Sequence, residues 1–431
     1  MPNIENSRIR IPELLAPAGD LASLHAAIDA GCNAVYFGIR SGFNMRVGAR
    51  NFAVSDLPRL TRLCHQAQVK AYLAVNTLVY ESELNKLERL MGKAAEAGVD
   101  AVIAWDHAVI QAASQRKIPI HLSTQASTAN SATIRFYYET LGIRRFVIAR
   151  ECSLTHIRRI CKNLGDLASQ IELECFAHGA LCVSLSGRCY LSHHAYNASG
   201  NRGACLQPCR RRFRIVEIDG DSEFEMGEHH ILSPKDLCTL PFLDQLIRAG
   251  IRSLKIEGRN RSADYVHTVT AVYRRTLDQL QEIYGRKNWR EQFSTLIKEG
   301  LEQLDRKYHR GFSNGFYLGL PNVEDWSENE GNLSSEVKVF LGEVVNYFAR
   351  PSVAAIRIRT QPLQRHAKVL IIGPTTGACE LTVERIEVDN KVIAEAPPGT
   401  VAGIKTPRRV RRGDKAYLLL PRNQKKRPNL K

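Results

Sequence analysis

The chain has 431 residues, with 60 lysine and arginine residues against 44 aspartate and glutamate residues, and a formal net charge of +16. This length suggests two or three domains. A hydrophobic fraction of 44% and a charged fraction of 24% are those of an ordinary globular protein, and they exclude a disordered or fibrous chain. No apolar run is long enough for a membrane-spanning helix, and the N-terminus shows no secretory signal, so the sequence predicts a cytoplasmic protein without a membrane partner.

Short apolar runs alternate with amphipathic stretches from residue 13 to about residue 280. Eight of these runs are predicted strands: Leu14–Leu15, Ala34–Gly38, Lys70–Val75, Ala101–Trp105, Ile120–Ser123, Phe146–Ala149, Glu172–Phe176 and Ser253–Ile256. Predicted helices, such as Leu21–Ala30 and Leu154–Leu164, lie between most of them. The alternation favours an α/β fold, a TIM-like (β/α)8 barrel, with a doubly wound open sheet as the alternative.

Changes in the pattern of predicted strands and helices divide the chain into three predicted segments. Residues 1–284 form the barrel domain, residues 285–335 a mixed connector, and residues 336–431 a small antiparallel β-barrel. Its short, β-branched predicted strands are Val337–Val345, Val353–Ile358, Ala367–Ile372, Leu381–Val388, Lys391–Ala396 and Lys415–Leu420. The last 31 residues, 401–431, contain 11 lysine and arginine residues and one acidic residue, Asp414. Such a basic tail is typical of a protein that binds a polyanion, most often nucleic acid, and a merely solvated tail is the alternative.

Five of the eleven cysteines lie between Cys175 and Cys209, mostly within a segment, 178–214, that interrupts the barrel pattern. Four of them are candidate metal or cluster ligands: Cys182, Cys189, Cys205 and Cys209. Four thiolates satisfy either a zinc ion or an iron–sulfur cluster, and the wide, irregular spacing favours the cluster. Unligated thiols are the third interpretation. Cys175 is predicted to be a core residue, and Cys238 is a possible substitute for the fourth ligand.

Polar or charged residues occur where several predicted strands end. Because the active site of a (β/α)8 barrel is built at these ends, we expect the side chains to share one pocket. The expected pocket residues are Asn76, Gln125, Arg150, His178, Lys255, Glu257 and Arg259. Arginines also surround the second cysteine pair, where they would offset thiolate charge or bind a carboxylate or phosphate: Arg202, Arg210, Arg211, Arg212 and Arg214.

Several motifs resemble those of peptidase family U32. They are Glu13–Gly19, Asp29–Gly38, His178–Cys182, Ser186–Ser192, Asn201–Cys205 and Ser253–Arg259. The resemblance covers about residues 12–280, and the C-terminal segment is more weakly similar to the small translation-factor-like barrel of that family.

The family name records early reports of collagenase-like proteolysis, whereas other members hydroxylate RNA or ubiquinone precursors with a [4Fe–4S] cluster, using prephenate as the implied oxygen source. The length and the barrel-plus-tail layout are similar to members that hydroxylate the wobble uridine of tRNA. The resemblance therefore implies a [4Fe–4S] enzyme that forms 5-hydroxyuridine, with tRNA as partner and a small dicarboxylate such as prephenate as co-substrate. The alternatives are a U32-type peptidase, a hydroxylase of ribosomal RNA or a ubiquinone precursor, and a non-catalytic RNA-binding or cluster-carrying protein.

Each candidate residue has an expected role under this hypothesis. The four cysteines would hold the cluster, and His178 and Glu257 would move protons. Guanidinium groups suit carboxylates, so the expected substrate-binding residues are Asn76, Gln125, Arg150, Lys255 and Arg259. The small barrel and the basic tail would hold RNA phosphates.

Overall fold

Ten strands form the first sheet of the protein, which a computed structural model describes over residues 9–40, 42–185, 187–211, 213, 232–327 and 331–422. They are β1 (Glu13–Ala18), β2 (Ala34–Phe37), β3 (Lys70–Ala74), β4 (Ala101–Ala104), β5 (Ile120–Leu122), β6 (Arg145–Val147), β7 (Glu172–Gly179), β8 (Asp236–Cys238), β9 (Ile251–Ile256) and β10 (Phe312–Ser313). Every residue of β2 and β4 is buried, as expected of strands covered on both faces.

The sheet closes because β9 pairs in parallel with both β1 and β7. Strands β1 to β7 and β9 thus form a closed barrel of eight parallel strands, which are the eight predicted from the sequence. The (β/α)8 prediction is confirmed, and the open-sheet alternative is wrong. The short strands β8 and β10 extend the sheet outside the barrel, with β8 antiparallel to β7.

Ten α-helices accompany the strands in the described chain. They are α1 (Leu21–Asp29), α2 (Leu57–Gln66), α3 (Leu84–Glu96), α4 (His107–Gln115), α5 (Ser131–Leu141), α6 (Leu154–Leu164), α7 (Leu191–Tyr196), α8 (Leu243–Arg248), α9 (Ala263–Ile283) and α10 (Trp289–Asp305). Short polar side chains cap the first turns, since Asp20 accepts from the Ser23 amide and Asn130 from the Thr133 amide. None of these helices has the length and apolarity needed to cross a bilayer.

The C-terminal strands form an antiparallel sheet with its own core. They are β11 (Glu336–Phe348), β12 (Val353–Ile358), β13 (Leu363–Gln364), β14 (Lys368–Gly373), β15 (Gly377–Thr382), β16 (Ile386–Val388), β17 (Lys391–Ile393), β18 (Glu395–Ala396), β19 (Val401–Lys405) and β20 (Lys415–Pro421). Eight of them follow the order β15-β14-β20-β11-β12-β19-β16-β17 around one apolar cluster, while β13 pairs with β18. No pairing between the edge strands β15 and β17 is present in the described residues.

The connector and the small domain differ in detail from the sequence prediction. The connector contains the 17-residue helix α10, which packs along α9 and was not predicted. The predicted strand Leu381–Val388 is broken between β15 and β16, and β19 was missed because Gly403 interrupts its apolar run. The predicted domain boundaries themselves remain predictions.

Ion pairs occupy the interior of the barrel. Glu174 on β7 is fully buried, and its carboxylate lies 3.0 Å from Lys255 Nζ and 3.8 Å from Arg145 Nη1. Arg145 also pairs with Glu13 on β1 and, at 2.6 Å, with the half-exposed Glu172. The charges are therefore linked from the amino end of the barrel to Lys255, and no single one is left unpaired.

The first prediction concerns this interior network. Replacing Glu174 by Gln leaves Lys255 and Arg145 buried with less compensation, so the free energy of unfolding should fall by about 3–5 kcal/mol. The matched control is Glu172→Gln, which removes an ion pair from a carboxylate with a 44% exposed side chain and should cost about 1 kcal/mol or less. Urea unfolding followed by circular dichroism measures both, and equal losses would contradict the interior role of Glu174.

Candidate active site at the carboxyl end of the barrel

One cavity lies at the carboxyl ends of the barrel strands. Ten of the eleven predicted site residues line it: Asn76, Gln125, Arg150, Cys182, Cys189, Cys205, Cys209, Lys255, Glu257 and Arg259. The strands explain this convergence, because in a closed parallel barrel all carboxyl ends open on the same face. The described residues 180–185 and 187–211, which follow β7 and carry the four cysteines, contribute to the lining of this cavity.

The four cavity cysteines differ from the others in exposure. Cys182 and Cys205 are exposed and Cys189 and Cys209 are intermediate, whereas all the remaining cysteines except Cys161 are buried. Backbone amides donate to two of the sulfurs, with Leu191 N 3.4 Å from Cys189 Sγ and Gln207 N 3.4 Å from Cys205 Sγ. Such N–H···S bonds stabilise thiolates and tune iron–sulfur centres.

Gly200 packs closely beside Cys189 and Cys205. A Cβ atom there would lie 3.6 Å from Cys205 Cβ and 3.3 Å from the carbonyl oxygen of Cys189. Burial raises the pKa of Cys209, the nearby Arg210 lowers it, and the charges of Cys182, Cys205 and Cys189 raise it further. All four cysteines therefore lie at one cavity.

Arginines fasten the cysteine segment to the rest of the protein. Arg188 Nη2 donates to the Gln125 carbonyl oxygen at 2.8 Å, and Arg202 Nη2 lies 2.6 Å from Glu83 Oε1. Arg210 Nη1 donates to the Pro234 carbonyl oxygen at 2.8 Å. These arginines thus have structural partners in the segment's surroundings. Arg211 stacks on Tyr196, and Arg212 and Arg214 lie outside the described residues.

Cationic side chains form one wall of the cavity. Arg259 donates through Nη1 to Asn44 Oδ1 at 3.1 Å, and Arg150 lies 4.1 Å from the ring centroid of Phe176. The Nε atoms of both arginines are buried and have no hydrogen-bond partner among the described residues. A buried donor without a partner is costly, so these atoms are suited to an anionic ligand.

Gly38 makes room for the Arg259 guanidinium. A Cβ atom at this position would lie 2.6 Å from Arg259 Nη1 and 2.8 Å from Asn44 Cγ. The glycine that ends the Asp29–Gly38 motif is therefore a steric requirement of the cationic wall.

Glu257 forms the centre of a hydrogen-bonded charge cluster. Its carboxylate accepts from Arg46 Nε at 3.1 Å and from the Tyr36 hydroxyl at 3.1 Å. Burial alone would raise the pKa of Glu257, but Arg46, Arg259 and Arg150 lower it to about 2. At neutral pH the group is a carboxylate, so the geometry favours a role in orienting arginines over the predicted proton transfer.

His178 lies outside the cavity, in contrast to its expected position. The pairing of β7 with β9 is irregular between Phe176 and His178, and this bulge turns His178 away from the barrel interior. Its ring lies 5.7 Å from that of Tyr273 on α9, and burial lowers its pKa to about 4. Only its backbone reaches the site, where its carbonyl oxygen accepts from the Glu257 amide at 2.8 Å. The geometry therefore gives no support to a catalytic side chain at His178.

The predicted amide residues both line the cavity and hold its loops. Asn76 Oδ1 accepts from the Met45 amide at 3.2 Å, and Asn76 Nδ2 donates to Gln125 Oε1 at 3.4 Å. Trp105 Nε1 donates to the Asn76 carbonyl oxygen at 3.1 Å. Part of their hydrogen-bonding capacity is thus used by the protein itself.

Cys238 is separated from the other candidate ligands. It is 3% exposed, it does not line the cavity, and its sulfur is 4.0 Å from the Tyr273 hydroxyl. Cys209 is the fourth cysteine that the structure brings to the cavity. In the described part of the chain, no three His, Cys, Asp or Glu side chains form a group that could hold a single metal ion.

Three functional residues were missed by the sequence analysis. Tyr36 and Arg46 line the cavity, and Asn44 hydrogen-bonds Arg259. Tyr36 lies within the Asp29–Gly38 motif and on an inward face of β2, so alternation along that strand was a usable signal. Asn44 and Arg46 belong to the irregular loop after β2, where no periodicity predicts direction.

A closed parallel barrel with thiols and arginines around a cavity at its carboxyl end defines an enzyme of the TIM-barrel class. The sequence model of peptidase family U32 matches residues 19–327, and the chain belongs to this family.

Relatives in the family carry two kinds of name. A protein of Porphyromonas gingivalis named collagenase is 36% identical over 418 residues, which cover 94% of this chain and 97% of that protein. The tRNA hydroxylation protein P1 of Bacillus subtilis is 31% identical over 407 residues, 93% of both chains. The tRNA hydroxylation protein P of Escherichia coli is 30% identical over 397 residues, which cover 81% of this chain and 84% of that protein.

The second prediction decides which cysteine completes the ligand set. If the protein binds the iron–sulfur cluster expected from its sequence, Cys209→Ala should lose most of the iron and Cys238→Ala should retain it, because Cys209 lines the cavity and Cys238 does not. Iron and sulfide analysis of anaerobically purified protein measures this, with circular dichroism as the control for folding. Iron retained by Cys209→Ala and lost by Cys238→Ala would contradict the assignment.

Proposed function

We propose that this protein hydroxylates an RNA base, with the wobble uridine of tRNA as the target and 5-hydroxyuridine as the product. The observation that carries the proposal is the convergence of Cys182, Cys189, Cys205 and Cys209 with a cationic wall in one cavity of the barrel. The relatives named tRNA hydroxylation protein support the choice of tRNA, because their similarity extends over most of the chain.

We assign the four cysteines to a [4Fe–4S] cluster. The donor set fits this group, because all four residues offer soft sulfur donors, two of the sulfurs already accept backbone N–H···S bonds, and all four cysteines line one cavity. When bound, the cluster supplies redox chemistry, which amino-acid side chains do not provide.

The cationic wall is assigned to a small dicarboxylate co-substrate such as prephenate. Arg150 and Arg259 have buried Nε donors without partners in the part of the chain that the structure describes, and Lys255 is fixed by Glu174 at 3.0 Å. Paired guanidinium groups match two carboxylates by charge and by geometry. Replacing a base C–H bond by C–OH is an oxidation, so the co-substrate has to supply an oxygen atom and accept two electrons.

The small domain is assigned to the phosphate backbone of tRNA. Exposed cations follow one another along its last strands and turns: Lys405, Arg409, Arg411, Arg412 and Lys415. Phosphate contacts of this kind contribute affinity without sequence information, whereas selection of the base belongs to the cavity. Sequence-specific recognition of RNA uses unpaired bases, and an anticodon loop presents them.

A peptidase is the second candidate, since the Porphyromonas gingivalis relative is named collagenase. It differs from the first candidate in its dependence on the cluster. Peptide cleavage by this chain should survive removal of iron, whereas RNA hydroxylation should not.

The third prediction tests the main proposal. Deletion of the gene should abolish 5-hydroxyuridine and its derivatives in tRNA, and the wild-type gene should restore them. Cys205→Ala should fail to restore them, because it removes one cavity thiolate. Mass spectrometry of nucleosides from purified tRNA is the measurement.

A buried thiol outside the cavity provides the control, since Cys64→Ala should restore the nucleoside as the wild-type gene does. Unchanged hydroxyuridine in a strain without paralogous genes would overturn the proposal. A hydroxylated nucleoside lost from ribosomal RNA instead would redirect it to that substrate. Peptide cleavage by iron-free protein, without any nucleoside change, would establish the peptidase alternative.

The fourth prediction concerns salt. Each phosphate contact contributes about 0.7–0.9 to the slope of log affinity against log salt, so Arg409→Gln with Arg412→Gln should reduce that slope by about 1–2. The control variant, Lys117→Gln with Arg144→Gln, removes two exposed charges that follow α4 and α5. These charges lie across the barrel from α1 and α9, the helices on which the small domain packs. Filter binding of tRNA at several salt concentrations measures both slopes, and equal slopes would contradict backbone binding by the small domain.

A further inference from the structure

Large apolar side chains stand exposed beside two of the cavity cysteines. Tyr190, which follows Cys189, is 75% exposed, and Leu206, which follows Cys205, is 60% exposed. The cysteines face the cavity while the next side chains face solvent. Each of these side chains follows a cysteine that lines the cavity, and the surface around them is named the cavity mouth.

A second aromatic surface lies beside the mouth. Tyr80, in the loop after β3, is 55% exposed, and the Arg202 guanidinium carbon lies 4.5 Å from its ring centroid. Arg202 in turn belongs to the cysteine segment and pairs with Glu83 at 2.6 Å. The ring and the guanidinium therefore form one fixed stack that joins a barrel loop to the cysteine segment.

The surroundings of these rings are strongly basic. The sequence contains no aspartate or glutamate between residues 175 and 216, although six arginines fall in this interval: Arg188, Arg202, Arg210, Arg211, Arg212 and Arg214. Aromatic faces near arginines are a combination that binds single-stranded nucleic acid, because bases stack on the rings and phosphates contact the cations.

We propose that Tyr190 and the Tyr80–Arg202 stack bind the unpaired nucleotides that flank the target base. This inference rests on the proposed RNA hydroxylation and deepens it. A base that enters the cavity must leave its stack, and its neighbours lose a stacking partner. Tyr190 and Tyr80 replace that partner at the mouth, so the loss of stacking is offset where the base turns inward.

The same geometry excludes a duplex as the preferred ligand. In a double helix the base faces are covered by neighbouring bases, so exposed rings have no surface on which to stack. The mouth should therefore bind a single strand more tightly than a hairpin stem of equal length and charge.

The experiment measures binding of a fluorescent, uridine-containing single-stranded RNA to the full-length protein by anisotropy. Tyr190→Ala and Tyr80→Ala should each weaken binding by about 5-fold to 100-fold, as expected for the loss of one stacked base. Tyr190→Phe keeps the ring and should bind within about twofold of wild type. Phe136→Ala removes a 57% exposed ring from α5, away from the cavity, and should bind as wild type does.

Two variants on different segments keep the test independent of one local fold. Tyr190 adjoins a cluster cysteine, but Tyr80 lies on a barrel loop, so Tyr80→Ala should keep its iron content. Wild-type affinity in both alanine variants would overturn the proposal, as would equal affinity of the wild type for the single strand and the hairpin stem. If tRNA is still hydroxylated in either of those cases, the result contradicts the stacking site but not the proposed hydroxylation. If the protein neither binds RNA nor alters tRNA nucleosides, the result contradicts both the stacking site and the proposed function.

Discussion

The buried ion pairs inside the barrel are the constraint on which the cavity depends. TIM barrels are ordinarily filled by layers of branched apolar side chains, but here Glu13, Arg145, Glu174 and Lys255 form a linked series among a few apolar residues. Removing water from such charges is expensive, and the cost is met only while each charge keeps its partner and position. The network therefore fixes Lys255 at the cavity floor by the same interactions that keep the strands in register. The fold and the cationic wall are consequently not separable features of this molecule.

The described lining of the cavity contains more cationic than anionic side chains. Among the described residues that line the cavity, Glu257 is the single carboxylate, and it faces Arg46 and Arg259, with Arg150, Lys255 and Arg210 also present. One anion held at low pKa among several cations orients them without neutralising the site. The arginines of the cysteine segment have a different role. Arg188, Arg202 and Arg210 donate hydrogen bonds to backbone carbonyl oxygens and so hold the segment in place. The cavity therefore combines cations that are engaged with cations that remain available to an anion.

Most of the fold and ten of the eleven site residues could be predicted from the sequence, for reasons that lie in the barrel itself. Strands buried on both faces leave uninterrupted apolar runs, and residues just after them must share one face. His178 failed because a bulge changes which side of β7 its side chain faces, and alternation counted along a sequence does not reveal a bulge. Arg46 and Asn44 were missed because an irregular loop has no period. Helix α10 was missed although Phe293, Ile297, Leu301 and Leu304 recur at helical spacing, so its signal was present in the sequence.

The small domain packs on helices α1 and α9, and this contact affects when the barrel is closed during synthesis. Strands β1 and β9, the first and last of the barrel, meet in parallel, and these two helices cover that junction. Leu370, Ala378 and Leu419 of the small domain pack there against Ala26 of α1 and Ala263 of α9, and Lys338 and Arg408 add ion pairs to Asp264 and Asp29. The joint between the first and last strands of the barrel is therefore held by residues that the ribosome makes after the whole barrel. During synthesis β1 has to wait for its neighbour β9, and the contacts that hold this junction form only after the small domain has been made.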